Sequence, residues 1–509
     1  MLSRLDAGFD DFSRFWHGRC IAGLHTTALH IDPNEELLPI AEVNPNTLAD
    51  TTESDMADLI SRNPATSKTV GTVPITEPSE IESSVAQARA AQQAWADLLV
   101  AERASILLEA GAVLEKRADD IGRLATQEMG KPLSQARGEA RYAASTFSPT
   151  LKEIVAALQP TVLEGDSVRS TVYRDPYGVV ASIAPWNFPV LMPHQQILPA
   201  LAAGNAVVFK PSEHTPLTGQ AYADALMEVL PAGVLKVVHG ADTQGEALVA
   251  ANVDLIVFTG SAEAGKHILA SASGGLKRVI LELGGKDPLI VLDDADIASA
   301  ARFATRNSFR NAGQVCISTE RIYALPSVAG ELLDAVVENA RALSVGDPMN
   351  EANDIGPMVS EEQRDHVLAQ VREAVADGAR IAWRGEAPSG NFIAPIVLAD
   401  VTHEMRIARE ETFGPVACFI AVADEEEAIR LANDSPFGLG AVVYGEPQRA
   451  RHVARRLSAG MVGVNQGLSH APGAPWVGAQ ESGYGFHSGP DGHRQFTQTR
   501  VVSEPRKGA

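Results

Sequence analysis

Cysteine and basic charge are both scarce in this sequence, and each shortage excludes whole classes of protein. The 509 residues include only Cys20, Cys316 and Cys418, which are too few and too widely spaced for a disulfide framework or a zinc cluster. Sparse, unpaired cysteines are typical of a reducing compartment. Lys and Arg number 42 against 64 Asp and Glu, so the formal net charge is −22. This charge disfavours general binding to nucleic acid or to an anionic membrane surface.

Long hydrophobic runs are missing as well, although a membrane-spanning helix needs about 20 apolar residues. The longest candidate, residues 197–209, is interrupted by Pro199 and Gly204. The acidic residues Asp6 and Asp10 come early, which does not fit the charged-then-apolar layout of a signal peptide. We therefore expect a cytoplasmic protein that has neither nucleic acid nor membrane as a partner.

The dinucleotide fingerprint G-x-G-x-x-G is also absent from the chain. Residues 260–267 come close to a P-loop, but His267 stands where that motif needs Ser or Thr to ligate Mg²⁺. A P-loop-like NTPase is kept as an alternative from a different functional class. The helix predicted to follow Ser261 can still offer backbone N–H groups to one phosphate. Ser261 either contributes to such a site or merely caps the helix.

The composition changes along the chain, whose length favours two or three domains. Residues 1–60 hold 11 acidic and 3 basic residues and show no sustained helical period, which indicates an acidic extension. Amphipathic helical patterns begin at Pro78, and separate helices are predicted over residues 103–115 and 119–129.

Beyond residue 174, short buried strands alternate with helices, which predicts a doubly wound parallel α/β unit. A second α/β unit is predicted to begin after Gly285. Residues 161–173 alternate like a β-hairpin, and residues 494–503 alternate like an edge strand. The buried strands of the first unit are predicted at residues 179–183, 206–209, 234–238 and 255–258.

A charged pair follows one of these strands. Lys210 and Glu213 lie just beyond the strand at 206–209, where doubly wound sheets bind ligands. Glu213 can accept hydrogen bonds from both hydroxyls of an adenosine ribose and would repel a 2′-phosphate, which favours NAD over NADP. An ordinary surface charge pair is the alternative interpretation.

Three further segments carry reactive side chains. Cys316 follows a loop of small residues, although a lone cysteine is usually only a small buried apolar residue. Glu282 stands beside Gly284 and Gly285, which permit close backbone approach, and Asn187 brings an amide to the end of a buried strand. A cysteine hydrolase is possible from Cys316 alone, but it leaves the candidate phosphate sites unexplained.

Eight short motifs occur in one order, and the whole set is far more specific than any member. They are NPAT at 63–66, APWNFP at 184–189, KPSE at 210–213, FTGS at 258–261, ELGGK at 282–286, GQVC at 313–316, EETFGP at 410–415 and ESGYG at 481–485. With them the chain resembles the aldehyde dehydrogenase superfamily, in its NAD(P)-dependent, hydrolytic, non-CoA-acylating form. The resemblance covers about residues 63–502. It also accounts for the missing fingerprint, since that family binds its dinucleotide through a variant Rossmann fold.

The resemblance implies an α/β fold with a variant Rossmann cofactor domain, an α/β catalytic domain and a small β oligomerisation element. Since the family usually assembles through that element, it also implies a homodimer or homotetramer. The implied division is an acidic extension over 1–60, an NAD-binding domain over 61–153 and 175–281, a catalytic domain over 282–480, and oligomerisation strands over 154–174 and 490–505.

The resemblance further implies oxidation of an aldehyde to the free carboxylic acid. Cys316 would attack the aldehyde carbon to form a thiohemiacetal and later a thioester. The Asn187 amide and the Cys316 backbone N–H would form the oxyanion hole. Glu282 would activate water for hydrolysis and help to deprotonate Cys316. Members that pass the acyl group to coenzyme A generally lack this glutamate, so Glu282 favours a free acid as product.

The cofactor positions carry over in the same way. Glu411 and Phe413 match the nicotinamide side, NAD is expected in preference to NADP, and no metal is required. A catalytically idle NAD-binding relative is the remaining alternative, but it would be expected to have lost Cys316 or Glu282. Cys418 and Cys20 are interpreted as structural or incidental. The adenosine and pyrophosphate side is matched by Trp186, Lys210, Glu213, Gly240 and Ser261.

One position bears on the substrate, which is a small-molecule aldehyde. Arg310 matches a residue with which succinate-semialdehyde dehydrogenases hold the distal carboxylate of the substrate, a task suited to the bidentate guanidinium. The second arginine of those enzymes is Gln195 here, so half of the clamp is absent. A succinate-semialdehyde-type enzyme is one alternative, and a solvated helix-end Arg310 is the other. The usual PFGG segment reads Pro-Trp-Val-Gly at 475–478, and Phe486-His487 replaces an arginine-containing run.

Overall fold

The computed structural model describes residues 58–469 and 471–506. Nearly all of the predicted acidic extension, with Cys20, lies outside the described residues. In the part of the chain that is described, no helix is both long and apolar enough to cross a membrane.

Helices and strands alternate along most of the chain. The helices are α1 (Pro78–Ala96), α2 (Val100–Met129), α3 (Leu133–Ala157), α4 (Leu191–Ala202), α5 (Pro216–Met227), α6 (Asp242–Ala250), α7 (Ala262–Ser273), α8 (Ile297–Phe309), α9 (Pro326–Arg341), α10 (Glu361–Ala376), α11 (Arg406–Arg409), α12 (Glu425–Asn433), α13 (Pro447–Ala454) and α14 (Gly489–Arg494). The strands are β1 (Asp58–Arg62), β2 (Thr69–Pro74), β3 (Thr161–Glu164), β4 (Val168–Pro176), β5 (Val179–Ile183), β6 (Ala206–Lys210), β7 (Leu235–Val237), β8 (Leu255–Thr259), β9 (Arg278–Glu282), β10 (Asp287–Val291), β11 (Thr319–Ala324), β12 (Arg380–Arg384), β13 (Ile396–Val401), β14 (Val416–Ala421), β15 (Phe437–Gly438), β16 (Gly440–Tyr444), β17 (Met461–Val464), β18 (Ala479–Gln480), β19 (Gly483–Tyr484) and β20 (Thr497–Pro505).

The first large sheet has the strand order β19-β9-β8-β5-β6-β7. Its strands run parallel apart from β19, which pairs antiparallel with β9. Strands β5, β6 and β8 are buried along their whole length, as expected for short apolar strands covered by helices on both faces. The predicted parallel α/β pattern is confirmed, and β9 joins it as a strand that the sequence pattern did not predict.

The second large sheet has the order β12-β13-β14-β11-β10-β16-β17. Its strands are parallel except at the β12 edge, which pairs antiparallel with β13. An apolar core packs around it and includes Leu289, Ile322 and Val416. The chain passes from β9 of the first sheet to β10 of the second through residues 283–286, so this short connection lies between the two sheets.

A third sheet, β20-β4-β3, is antiparallel. Strands β3 and β4 form the predicted hairpin, and β20 pairs with β4 of the same chain along nine residues. The predicted bounds of the oligomerisation strands are wrong at two ends, since residues 154–157 belong to α3 and residues 490–494 belong to α14. The sheet leaves several apolar side chains exposed, namely Val162, Leu163, Val168, Val501 and Val502.

One helix is longer than its pattern predicted. Residues 103–115 and 119–129 form the single helix α2, which contains 30 residues. Neither Gly nor Pro occurs at 116–118, so nothing there interrupts the backbone hydrogen bonds. The helix ends at Gly130, whose φ of 81° is the left-handed conformation that glycine adopts without a steric cost.

Asn205 joins three parts of the first unit, and its loss is a test of that packing. Its Oδ1 accepts from Gly178 N–H at 3.0 Å, while its Nδ2 donates to Ala200 O at 3.0 Å and Phe496 O at 2.9 Å. Asn205→Ala removes the partners of Gly178 N–H and Phe496 O and should lower the free energy of unfolding by about 3 kcal/mol. Urea unfolding followed by circular dichroism measures the change. The exposed control Gln448→Ala should be neutral, and equal midpoints for both variants would contradict the assignment.

Candidate active site

The loop before Cys316 has an unusual backbone. Asn311, Ala312 and Gly313 have φ angles of 53°, 55° and 71°, a left-handed conformation that costs non-glycine residues about 1 kcal/mol or more. A Cβ atom at Gly313 would lie 2.0 Å from Gly414 O, so this position requires glycine. The loop leads directly into Cys316, which is a free, half-buried thiol.

Asn187 lies against this loop. It follows β5, is buried, and donates from Nδ2 to Gln314 O at 3.1 Å. Gln314 is held in turn, since its Oε1 accepts from Val359 N–H at 2.9 Å. A carboxamide nitrogen carries two hydrogens, so one of them orients the Asn187 side chain and the other remains for a ligand near Cys316.

Glu282 ends β9 with its two carboxylate oxygens in different surroundings. Oε1 accepts from the indole Nε1 of Trp476 at 3.3 Å. Oε2 is buried and has no hydrogen-bond partner among the described residues. Burial raises the pKa of Glu282 to about 7, although the Trp476 indole and the Cys316 thiol act in the opposite direction. A carboxyl group with a pKa near neutrality can take up and release a proton under physiological conditions.

Two more buried carboxyl groups surround the thiol. Burial raises the pKa of Asp287 to about 8 and that of Glu411 to about 8. Burial raises the pKa of the Cys316 thiol well above its ordinary range, and Glu282, Asp287 and Glu411 add to the effect in that order. Burial first, and then the neighbouring carboxylates when they are ionised, disfavour the thiolate, so the Cys316 thiol resists ionisation in the cofactor-free protein.

The glycines after Glu282 allow Glu411 to approach the backbone. A Cβ atom at Gly284 would lie 2.3 Å from Glu411 Oε2, and Gly285 N–H donates to Glu411 Oε1 at 2.9 Å. At Gly285 a Cβ atom would lie 2.8 Å from Cys316 O. The ELGGK segment therefore brings Glu282, Cys316 and Glu411 to one place.

The Glu411–Phe413 turn depends on an ion pair that the sequence motifs did not reveal. Glu320 accepts from Thr412 N–H at 2.8 Å and from Phe413 N–H at 2.9 Å. Lys286 forms a fully buried ion pair with Glu320 and donates to Thr412 Oγ1 at 2.9 Å. Phe413 has a φ of 51°, so these bonds hold a strained turn. The sequence does contain a signal for this pair, because a charged residue lies at the start of each of two apolar strands, Lys286 just before β10 and Glu320 within β11.

Trp186 connects the turn to the first sheet. Its ring meets the Phe413 ring edge-on, with centroids 5.6 Å apart. The buried Lys210 ammonium donates to Pro211 O at 3.3 Å and lies 3.7 Å from Glu213 Oε2. Burial lowers the pKa of Lys210, whereas Glu213 reaches solvent. The predicted Lys210–Glu213 pair therefore exists, at the carboxyl end of β6.

Ser261 and Gly240 lie apart from the reactive group. Ser261 Oγ accepts from Ala264 N–H at 3.2 Å and caps α7, which is the simpler of the two interpretations of this residue. Gly240 has a φ of 147°, and a Cβ atom there would lie 2.2 Å from Gln244 Oε1. Within the described ranges no hydrogen bond joins either residue to Cys316, Glu282 or Asn187.

Arg310 lies near the ring of Phe188, with its Cζ 5.8 Å from the ring centroid. Lys131 lies over the same ring at 3.9 Å and forms a buried ion pair with Glu139. In contrast to Lys131, Arg310 has no carboxylate at ion-pair distance in the described part of the chain. Gln195 Oε1 is likewise buried without a hydrogen-bond partner among those residues.

A funnel with a volume of about 530 Å³ lies next to these groups. Helices α3 and α4 and residues 468–469, 471–474 and 476 form its walls, and its lining includes Gln195, His194 and Trp476. Trp476 also donates to Glu282, so one wall of this funnel contacts that carboxyl group.

Comparison with known proteins decides the family. The model of the aldehyde dehydrogenase family matches residues 51–502, which is most of the chain. The chain belongs to the aldehyde dehydrogenase family. It is an enzyme that oxidises aldehydes to carboxylic acids, and the hypotheses of a P-loop-like NTPase and a cysteine hydrolase are set aside.

Individual relatives agree over nearly the whole chain. A probable NADP(+) succinate-semialdehyde dehydrogenase of Sinorhizobium fredii is 38% identical and covers 86% of this chain and 91% of its own length. The peroxisomal aminoaldehyde dehydrogenase 2 of Pisum sativum is 37% identical, with coverages of 87% and 91%. The crystal structure of an aldehyde dehydrogenase from Brucella melitensis biovar abortus superposes with a TM-score of 0.86, at 37% identity and coverages of 89% and 94%.

The acidic surroundings of Cys316 predict how its reactivity depends on pH. Alkylation of the cofactor-free enzyme by iodoacetamide should keep accelerating beyond the pH at which an ordinary thiol, of pKa about 8.5, is already ionised. In Glu282→Gln one of the charges that raise the Cys316 pKa is lost, so the inflection should move to lower pH. Mass spectrometry of the Cys316 peptide measures the rate, and the buried Cys418 serves as an unreactive internal control. An unchanged inflection in the variant would contradict the electrostatic coupling.

Proposed function

We propose that Cys316 is the nucleophile of this aldehyde dehydrogenase and that Glu282 is its general base. The observation that carries the proposal is the buried Glu282 Oε2, which lacks a hydrogen-bond partner among the described residues while its carboxyl group interacts with the Cys316 thiol. A buried carboxylate oxygen that no N–H group engages is placed to accept a proton from a thiol or from water. Asn187 and the Cys316 backbone N–H complete the group as donors to the oxyanion.

The reaction then follows from the charges and protons of these residues. The Cys316 thiol gives its proton to a base as sulfur attacks the aldehyde carbon, and Asn187 Nδ2 donates to the resulting oxyanion of the thiohemiacetal. When bound, the nicotinamide supplies the hydride acceptor for the oxidation. Glu282 then takes a proton from water as the water attacks the Cys316 thioester, and the carboxylic acid and the thiol are released.

For the cofactor we propose NAD in preference to NADP. Lys210 is a buried ammonium with few partners and Glu213 a partly exposed carboxylate beside it, a pair suited to the hydroxyls of a ribose. A 2′-phosphate would face the negative charge of Glu213. Trp186, Gly240 and Ser261 would hold the remainder of the adenosine and pyrophosphate side, and Glu411 and Phe413 the nicotinamide side. The NADP(+) in the name of one relative concerns that protein alone.

We propose that different parts of the chain bind the cofactor, carry out catalysis and form the oligomer. Residues 61–153 and 175–281 would bind the cofactor, and residues 282–480 would carry out catalysis. The third sheet, with its exposed apolar side chains, would join copies of the chain into a homodimer or homotetramer. Cys316 and Cys418 are free thiols, which supports a reducing compartment such as the cytoplasm.

A second, narrower candidate is an aldehyde that carries a distal carboxylate, as in a succinate-semialdehyde-type enzyme. Arg310 favours it, because its guanidinium lies near Phe188 without a carboxylate partner among the described residues. Burial lowers the pKa of Arg310, yet arginine stays charged at neutral pH. A substrate carboxylate would supply the missing counter-charge.

Turnover tests the main proposal. The wild-type enzyme should produce reduced cofactor with some members of a panel of aliphatic, aromatic and carboxylated aldehydes. Absorbance at 340 nm measures the rate, which should be higher with NAD than with NADP. Cys316→Ala should abolish turnover, and Asn187→Ala should lower kcat by about 10²–10³-fold. Cys418→Ala is the matched control and should retain activity. Full activity in Cys316→Ala would overturn the proposal.

A charge substitution tests the carboxylated substrate. Arg310→Gln should raise KM for a four-carbon semialdehyde acid about 10- to 100-fold, since a hydrogen-bonded charge pair is worth about 1.5–3 kcal/mol. KM for an uncharged aldehyde of similar length should hardly change. Arg306→Gln removes the same charge from an exposed residue of α8 and serves as control. An equal effect of Arg310→Gln on both substrates would exclude carboxylate recognition.

A further inference from the structure

Trp476 contacts Glu282 directly, and the proposed mechanism gives it no role. Its indole Nε1 donates to Glu282 Oε1 at 3.3 Å, across 194 positions of sequence. Glu282 Oε2 has no such partner among the described residues. The indole therefore makes the two oxygens of one carboxylate unequal, because Oε1 is engaged and Oε2 remains available.

The backbone around Trp476 is held by His487. Trp476 N–H donates to His487 O at 2.8 Å, and His487 N–H donates to Trp476 O at 3.3 Å. Their rings lie nearly parallel, at 13° and with centroids 6.3 Å apart. Burial lowers the pKa of His487 to about 4, so this ring is neutral at pH 7. The His487 backbone and its neutral ring thus support Trp476.

The identity of residue 476 matters because tryptophan brings an N–H donor to the Glu282 carboxylate. A phenyl ring can fill the same space, but it cannot donate a hydrogen bond. Among the described residues, Cys316 and Asp287 are the ionisable groups coupled electrostatically to Glu282. Among its described neighbours, only the indole donates to the Glu282 carboxylate through a nitrogen.

We propose that Trp476 is a positioning residue for hydrolysis of the thioester. By holding Glu282 Oε1, the indole N–H keeps Oε2 directed at the water that attacks the Cys316 thioester. In that step water loses a proton to Oε2, its oxygen bonds to the acyl carbon, and the bond from carbon to sulfur breaks. This inference rests on the proposed role of Glu282 as the base.

The proposal separates two halves of the reaction. Attack of Cys316 and oxidation of the bound aldehyde precede hydrolysis, and hydrolysis alone requires Glu282 to be aligned with water. Loss of the indole N–H should therefore slow hydrolysis more than the earlier steps. The thioester then accumulates during the first turnover, which gives a burst of reduced cofactor before a slower steady state.

The test compares Trp476→Phe with wild type in stopped-flow absorbance. We expect a burst approaching one reduced cofactor per active site, and a steady-state kcat about tenfold lower. Since the indole lowers the pKa of Glu282, the pH at which kcat reaches half its plateau should also rise. Trp476→His restores an N–H donor and should recover part of kcat. Trp383→Phe, on β12, is the matched control and should behave as wild type.

The outcomes distinguish a Trp476 side chain that positions Glu282 from one that only packs in the funnel. An unchanged kcat in Trp476→Phe, or a rise in KM with kcat and its pH profile unchanged, would show that the indole only shapes the funnel. A Trp476→His variant no better than Trp476→Phe, with equal melting temperatures, would also overturn the proposal. Glu282→Gln gives the distinguishing result, since a steady-state rate equal to wild type there would overturn the role of Glu282 itself.

Discussion

Burial of three carboxyl groups around one thiol is the constraint on which this site depends. Glu282, Asp287 and Glu411 all lie next to Cys316 with raised pKa values, and each disfavours the thiolate that must attack the substrate. Desolvation makes it costly to ionise these groups, but it also raises the pKa of Glu282 to about 7, which suits a general base. The resting protein therefore disfavours ionisation of Cys316, the proposed nucleophile, and holds Glu282, the proposed base, near its titration point.

The fold holds these groups together through close contacts between residues that are far apart in the sequence. Residues 283–286 connect the two large sheets, and glycines there let Glu411 bind the backbone. The buried Lys286–Glu320 pair orders the turn that carries Glu411 and Phe413. A buried ion pair offsets its desolvation cost only when its remaining hydrogen-bonding groups have partners. Here both oxygens of the Glu320 carboxylate accept hydrogen bonds from the turn.

Much of the architecture was predictable because it depends on local pattern. Strands β5, β6 and β8 are short apolar runs that could be located within a residue or two, and the β3–β4 hairpin follows from its alternation. Helix α2 was wrongly divided, because charged residues at 116–120 resemble a boundary although they do not break a helix. The ordered motifs named the family, since together they specify both chemistry and spacing.

The sequence by itself determined the family, the sheet pattern and the identity of Cys316, Glu282 and Asn187 as candidates, because these features reside in residue type and order. Tertiary structure alone decided which oxygen of Glu282 is free, that Trp476 and Glu320 contact the site, and that Arg310 lacks a carboxylate partner among the described residues. Such facts depend on distances between residues that are up to 194 positions apart in the chain. No local pattern encodes them, because a hydrogen bond or a pKa shift arises only once folding has brought the partners together and removed water.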